Sequence, residues 1–168
     1  MSLELFIDKW TIGDHPPTKV QHADLDAVEA RLDFVFPQDY RAAILAHGLP
    51  WMTIALLHSI VETEADISDV SDFFEPDLIV EQTQAWREGG LPGHLVAFAD
   101  DCSGNLFCFD VRDGRAGRPG RAPIWFWNHD DGDLRVVADS FSVWIERFCG
   151  VDYIEWQACA ILNQISLR

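Results

Sequence analysis

Apolar positions along the chain fall first at helical spacing and later into short runs between turn residues, and the change between them divides the molecule. "HADLDAVEARLDF" places Leu25, Val28 and Leu32 on one face at i, i+3 and i+7, a helix whose start Asp24 can cap. "FPQDYRAAILAHG" reads as a second helix, with Pro37 just inside its start, Gly48 past its end, a buried stripe of Tyr40, Ala43 and Ile44, and Arg41 outward. "PWMTIALLHSI" is continuously apolar and reads as extended chain, with a helix as the alternative. From Glu62 to Asp77 the chain turns polar and acidic, predicting loop and short helix. Pro76 opens a further helix that buries Ile79, Val80, Thr83 and Trp86, and Gly89-Gly90 stops it.

After Pro92 the rhythm shortens. "LVAFA", "NLFCFDV", "APIWFWN" and "LRVVA" are short β-branched and aromatic runs separated by turn residues, which predicts an antiparallel meander. On the second run Phe107 and Phe109 share one face, with Leu106 and Cys108 on the other. On the third run Trp125 and Trp127 share a face opposite Phe126, so both sides of the sheet need cover; an exposed Trp there would serve as a binding anchor. Asp139 or Ser140 then caps a helix carrying Phe141, Trp144, Ile145 and Phe148, stopped by Gly150, and a last helix is predicted from Tyr153 to Ile165. Helices, strands and helices in that order predict an α+β fold, a central antiparallel sheet flanked by helices in a single domain over 1–168.

Composition supports a large core. Apolar residues make up 48% of the 168, with seven Trp and eleven Phe, enough to fold without disulfide or metal. MSLELFIDKW lacks the basic start and apolar stretch of a signal peptide, and no apolar run approaches the roughly 20 residues of a membrane helix. The expectation is a soluble cytoplasmic protein with reduced cysteines and no membrane association. Charge changes the picture more. Twenty-eight acidic against twelve basic side chains give a net charge of -16, and no Lys or Arg lies between Arg41 and Arg87. Glu62, Glu64, Asp66, Asp69, Asp72, Glu75, Asp77 and Glu81 all fall in that interval. Such a field repels nucleic acid and speeds the approach of basic partners, besides keeping the chain soluble.

Candidate chemistry concentrates in "FADDCSGNLFCFD", where Asp100 and Asp101 precede Cys102-Ser103-Gly104-Asn105, and in "NHDDGD", which holds Asp130 and Asp131. Both sit between strands and are rich in turn formers, so the turn reading outweighs a metal site; neither an EF-hand loop nor HExxH occurs. The four cysteines show no CxxC spacing. Ser103 lies outside any GxSxG elbow and Cys102 has no Cys/His signature around it, so neither is assigned as a nucleophile. "RDGRAGRPGR", 112–121, is the one basic cluster and reads as a solvated loop that can pair with the protein's own carboxylates. No cofactor, metal or catalytic residue is expected, and the two acidic turns stand open to meet in space.

Four motifs in order resemble the SUKH superfamily, known from bacterial immunity proteins and fungal cell-wall-assembly regulators. "FPQDYRAAILAHG" is similar to its signature helix, "LVAFADDCSGNLFCFD" to its strand, Asp-x-x-Gly-Asn turn and strand, "IWFWNHD" to its next strand, and "ADSFSVWIERF" to its closing helix. The resemblance spans Asp24 to Cys149; the first twenty residues and the tail after Val151 have no counterpart. Where the family usually has Asn-Gly-Gly after the signature helix, this chain has His47-Gly48-Leu49-Pro50. The resemblance implies a non-enzymatic immunity protein that binds and neutralises a cognate bacterial toxin domain, often a nuclease and therefore basic. The alternative it carries is an intracellular scaffold or regulatory domain without a toxin. On the immunity reading the expected contacts are Asp100, Asp101, Asp130 and Asp131, with Glu62, Glu64, Asp66 and Asp69 as the second choice.

Overall fold

The computed structural model describes residues 2–11, 13, 15–112 and 122–155. Four helices, α1 (Ser2–Trp10), α2 (His22–Leu32), α3 (Gln38–His47) and α4 (Ile54–Glu62), precede a short strand β1 (Asp72–Phe73) and helix α5 (Pro76–Glu88). Four strands follow, β2 (Leu95–Asp100), β3 (Leu106–Asp110), β4 (Ile124–Trp127) and β5 (Leu134–Ala138), and then α6 (Phe141–Cys149). The five strands pair antiparallel in chain order, giving the expected α+β domain around a meander.

Helix ends follow their local chemistry, with some shifts from the sequence reading. Asp24 is the third residue of α2 rather than its cap; its Oδ2 accepts the backbone N–H of the capping residue Gln21 at 2.8 Å. Pro37 likewise sits at the cap of α3, not inside it. Gly48 ends α3 at φ +85°, where an added Cβ would meet the Thr18 carbonyl oxygen at 2.7 Å. Pro76 opens α5, and Ser140, not Asp139, caps α6 by accepting Val143 N–H at 3.3 Å.

"PWMTIALLHSI" is not extended beyond a bridge at Met52: Thr53 accepts Ala55 N–H at 3.2 Å and starts α4. A continuous apolar run carries no period, and here the cap decides. The acidic stretch after α4 forms loop and β1, without the expected short helix. Tyr153, Ile154 and Glu155 are not helical; the rest of the helix expected there, and 113–121 of the basic loop, lie outside the described residues.

The sheet is covered on both faces. On one, α6 and α3 pack over Phe98, Phe107 and Phe109. Phe98 stacks on Phe109 at 4.2 Å, while Trp144 of α6 meets Phe107 at 4.8 Å and Tyr40 of α3 meets Phe109 at 5.1 Å. Helix α1 closes this side, with Phe6 edge-on to Phe148 at 5.7 Å and the Trp10 indole donating to the Phe148 carbonyl at 3.1 Å. On the opposite face α5 lies over β2, its Thr83 hydroxyl accepting Ala97 N–H at 3.1 Å, and Trp86 meets Trp127 edge-on at 5.5 Å. Among the described residues, no helix is long and apolar enough to cross a membrane.

A bulge in β2 sets the position of the acidic edge. Ala97 pairs with Cys108 but Ala99 with Phe107, so Phe98 is the extra residue. Cross-strand partners share a face. Asp100 therefore lies with Leu106, on the α5 side, and its neighbour across β1 is Asp72. With unbroken alternation from Ala97, Asp100 would fall on the aromatic face instead.

Candidate functional site: an acidic strand edge and two linked turns

The turn between β2 and β3 is built by Asp101, which is buried. Its Oδ1 accepts Ser103 N–H at 2.9 Å and Asn105 N–H at 2.8 Å, and its Oδ2 accepts the Asn105 side-chain amide at 2.9 Å. Gly104, at φ +85°, allows the chain to close back on the Asp101 carbonyl. The carboxylate thus takes the place of backbone partners within the turn, and the turn reading of this stretch holds. The β4–β5 turn follows the same logic: Asn128 accepts Asp130 N–H and Asp131 accepts Asp133 N–H, both at 2.9 Å, with Gly132 at φ +76°.

These two turns meet. Because the Asn105 amide nitrogen faces the Asp101 carboxylate, its Oδ1 faces the other way, where it accepts from His129 N at 3.3 Å and from Nδ1 at 3.0 Å. An oxygen can only accept, so the Nδ1 of His129 carries the proton. The ring packs 5.3 Å from Trp86 of α5, and its Nε2 lies 3.3 Å from Asp130 Oδ1. Asp101, Asn105, His129 and Asp130 form one chain of contacts across the end of the sheet.

Beside it runs the acidic edge. Asp72 N–H donates to Asp100 Oδ1 at 3.1 Å, and Asp69 Oδ2 accepts Cys102 N–H at 3.2 Å. Burial pushes the Asp100 carboxyl up to about 6, and the negative charge of Asp72 across the ladder adds to it, with smaller repulsions from Asp101 and Asp69. Burial also raises Asp72 and Asp69 above the usual carboxylate range. Among the described residues, no cation contributes to any of these three shifts. Elsewhere several cations pair with the protein's own carboxylates: Arg41 with Asp26 and Glu29, Arg31 with Asp77, Arg112 with Asp110. Among the described residues, the β1–β2 edge is a place where negative charge is packed together without a counter-ion.

The sequence-predicted contacts divide accordingly. Asp69, Asp100 and Asp101 are brought together, and Asp130 joins them through His129, with Asp131 exposed on the same turn. Glu62, Glu64 and Asp66 are exposed at and beyond the end of α4; Asp66 lines a different hollow, where its carbonyl accepts from Arg147 at 3.1 Å. Asp72 was one of many acids in its stretch, and only the β1–β2 register marks it out.

Other candidates for chemistry are poorly disposed. Burial, then the charge of Asp69, raises the Cys102 thiol, which makes it a weaker nucleophile than a free cysteine, and burial also pushes up Cys108. Among the described residues, no three His, Cys, Asp or Glu side chains are grouped to hold a metal ion. Trp125 and Trp127, considered as anchors, are half-buried and buried; among the described residues the exposed tryptophan is Trp51.

Residues 19–147 match the model of the SMI1/KNR4 family, SUKH-1, and the chain belongs to that family. No curated protein matches it.

Proposed function

We propose that this SMI1/KNR4-family domain is an immunity protein, which binds and neutralises a cognate bacterial toxin domain by protein–protein contact and without catalysis. The partner surface is basic, as a nuclease active site is. The observation that carries this reading is the Asp72–Asp100 pair. Two carboxylates facing each other across an edge ladder, with burial holding Asp100 near a pKa of about 6, lower the stability of the free protein. A cationic partner relieves that repulsion on binding, so part of the electrostatic cost of the free state returns as affinity.

Asp130 and Asp131 flank the contact from the neighbouring turn, while Asp101 and Asp69 shape the edge from within through the bonds they accept. The net charge of -16 steers encounter from a distance. Glu62, Glu64 and Asp66 contribute to that field rather than to the contact.

Affinity purification from the native cells, followed by coexpression of the captured protein, tests this reading. The expected result is a basic protein that is toxic alone and harmless alongside this domain. Capture of a harmless housekeeping protein, with no relief of any toxicity, would instead place the domain among scaffolds or regulators.

A further inference from the structure

A hollow of about 390 Å³ opens between the Leu49–Pro50–Trp51 segment, β1 and the first turns of α5. Leu49 and Leu78 give it an apolar lining, and Trp51 forms a wall, 54% exposed. The indole is held in place: its Nε1 donates to Thr18 Oγ1 at 3.1 Å, and the His15 ring lies 6.2 Å away. Asp72, Glu75, Asp77 and Glu81 supply the rim. Among the described residues, no Lys or Arg lines it; Arg31 reaches Asp77 from outside at 3.2 Å, and Lys19 lines an adjoining hollow that shares Glu75 and Asp77.

We infer that this hollow receives one Lys or Arg side chain from a cationic protein partner, whose charged head lies over the Trp51 indole and among the rim carboxylates. The inference rests on the reading of the domain as a binder of a basic partner, and names a pocket for it. Three features fit such an occupant together. The aliphatic stem of Lys or Arg matches the leucine lining. The indole face attracts the cationic head. The rim carboxylates complete the charge complement, and Asp72 joins the pocket to the Asp100 edge without a break. A bare metal ion would use neither the leucines nor the indole.

The test is a titration of the ¹⁵N-labelled protein with tetra-arginine and tetra-lysine peptides, with tetra-glutamate as control at equal ionic strength. The Trp51 indole resonance is identified by its loss in Trp51→Phe. The cationic peptides should shift that resonance saturably and tetra-glutamate should not. Trp51→Ala should weaken binding about five- to thirtyfold, and Glu75→Gln with Glu81→Gln should weaken it as well. All three positions are exposed, and a dispersed amide spectrum shows that each variant folds. If the peptides bind while the Trp51 resonance stays still and Trp51→Ala binds equally, the pocket is overturned; weakening by Asp100→Asn in that case leaves the acidic edge as the contact. If neither cationic peptide binds saturably, the pocket and the acidic-contact reading fall together.

Discussion

Replacing Asp100 by Asn should make the protein more stable at neutral pH. The amide keeps an oxygen to accept Asp72 N–H, now held at 3.1 Å, but removes the charge that Asp72, Asp101 and Asp69 repel. The folded-state pKa of about 6 stands above the ordinary 3.8, which at full weight corresponds to about 3 kcal/mol. The carboxyl is only partly buried, and screening by solvent reduces this to about 1 kcal/mol. The sign follows from linkage. A raised carboxyl binds its proton more tightly in the folded state, so it costs stability above pH 6, and the cost fades as pH falls toward 4. Thermal unfolding followed by circular dichroism should show the variant melting about 2–4 °C higher at pH 7.5, with the gap closing by pH 4. A variant no more stable than the parent at pH 7.5, or a gap that does not change with pH, would refute the account of the acidic edge.

Other substitutions test the frame around that edge. Asp101→Ala leaves Ser103 and Asn105 N–H groups without their acceptor; it should cost about 2–4 kcal/mol in urea unfolding and loosen the Asn105 contact to the His129 ring, visible in its imidazole resonances. Gly48→Ala must place a Cβ against the Thr18 carbonyl at a φ of +85°; a loss of about 2 kcal/mol is expected in the same assay. Ser140→Ala removes the cap of α6 and should lower stability by about 1 kcal/mol.

The sheet was the most legible part of the chain, because β2 to β5 are short β-branched and aromatic runs separated by turn-forming residues whose chemistry is local. Helices α2, α3, α5 and α6 were legible for the same reason, through caps and stops. What depended on distant contacts was not. The run from Trp51 to Ile60 is an exception of another kind: largely apolar, it shows no period, and the local Thr53 cap, which decides for helix, was overlooked. Strand β1 has two residues and exists only through its ladder with β2. Helix α1 did carry a signal, with Leu3, Phe6, Ile7 and Trp10 at helical spacing, although it lies outside the stretch that resembles the family.

The site divides in the same way. Gly104, Asn105, Asp131 and Gly132 declared their turns in the sequence. The meeting of those turns through Asn105 and His129, and the opposition of Asp72 to Asp100, are tertiary facts. The second depends on one extra residue at Phe98, a bulge that alternation alone does not reveal. Trp51 was one of seven tryptophans, and nothing in its neighbourhood marked it as exposed.

The central claim is that an uncompensated acidic edge makes the contact with a basic protein. The rate of association with the captured partner, measured by stopped flow over a range of ionic strength, tests it most directly. The account predicts a rate that falls steeply as salt rises, and a variant carrying Asp72→Asn and Asp100→Asn that is at least as stable as the parent yet associates about tenfold more slowly at low salt. A rate indifferent to salt, or a double variant that associates as fast as the parent, would contradict it.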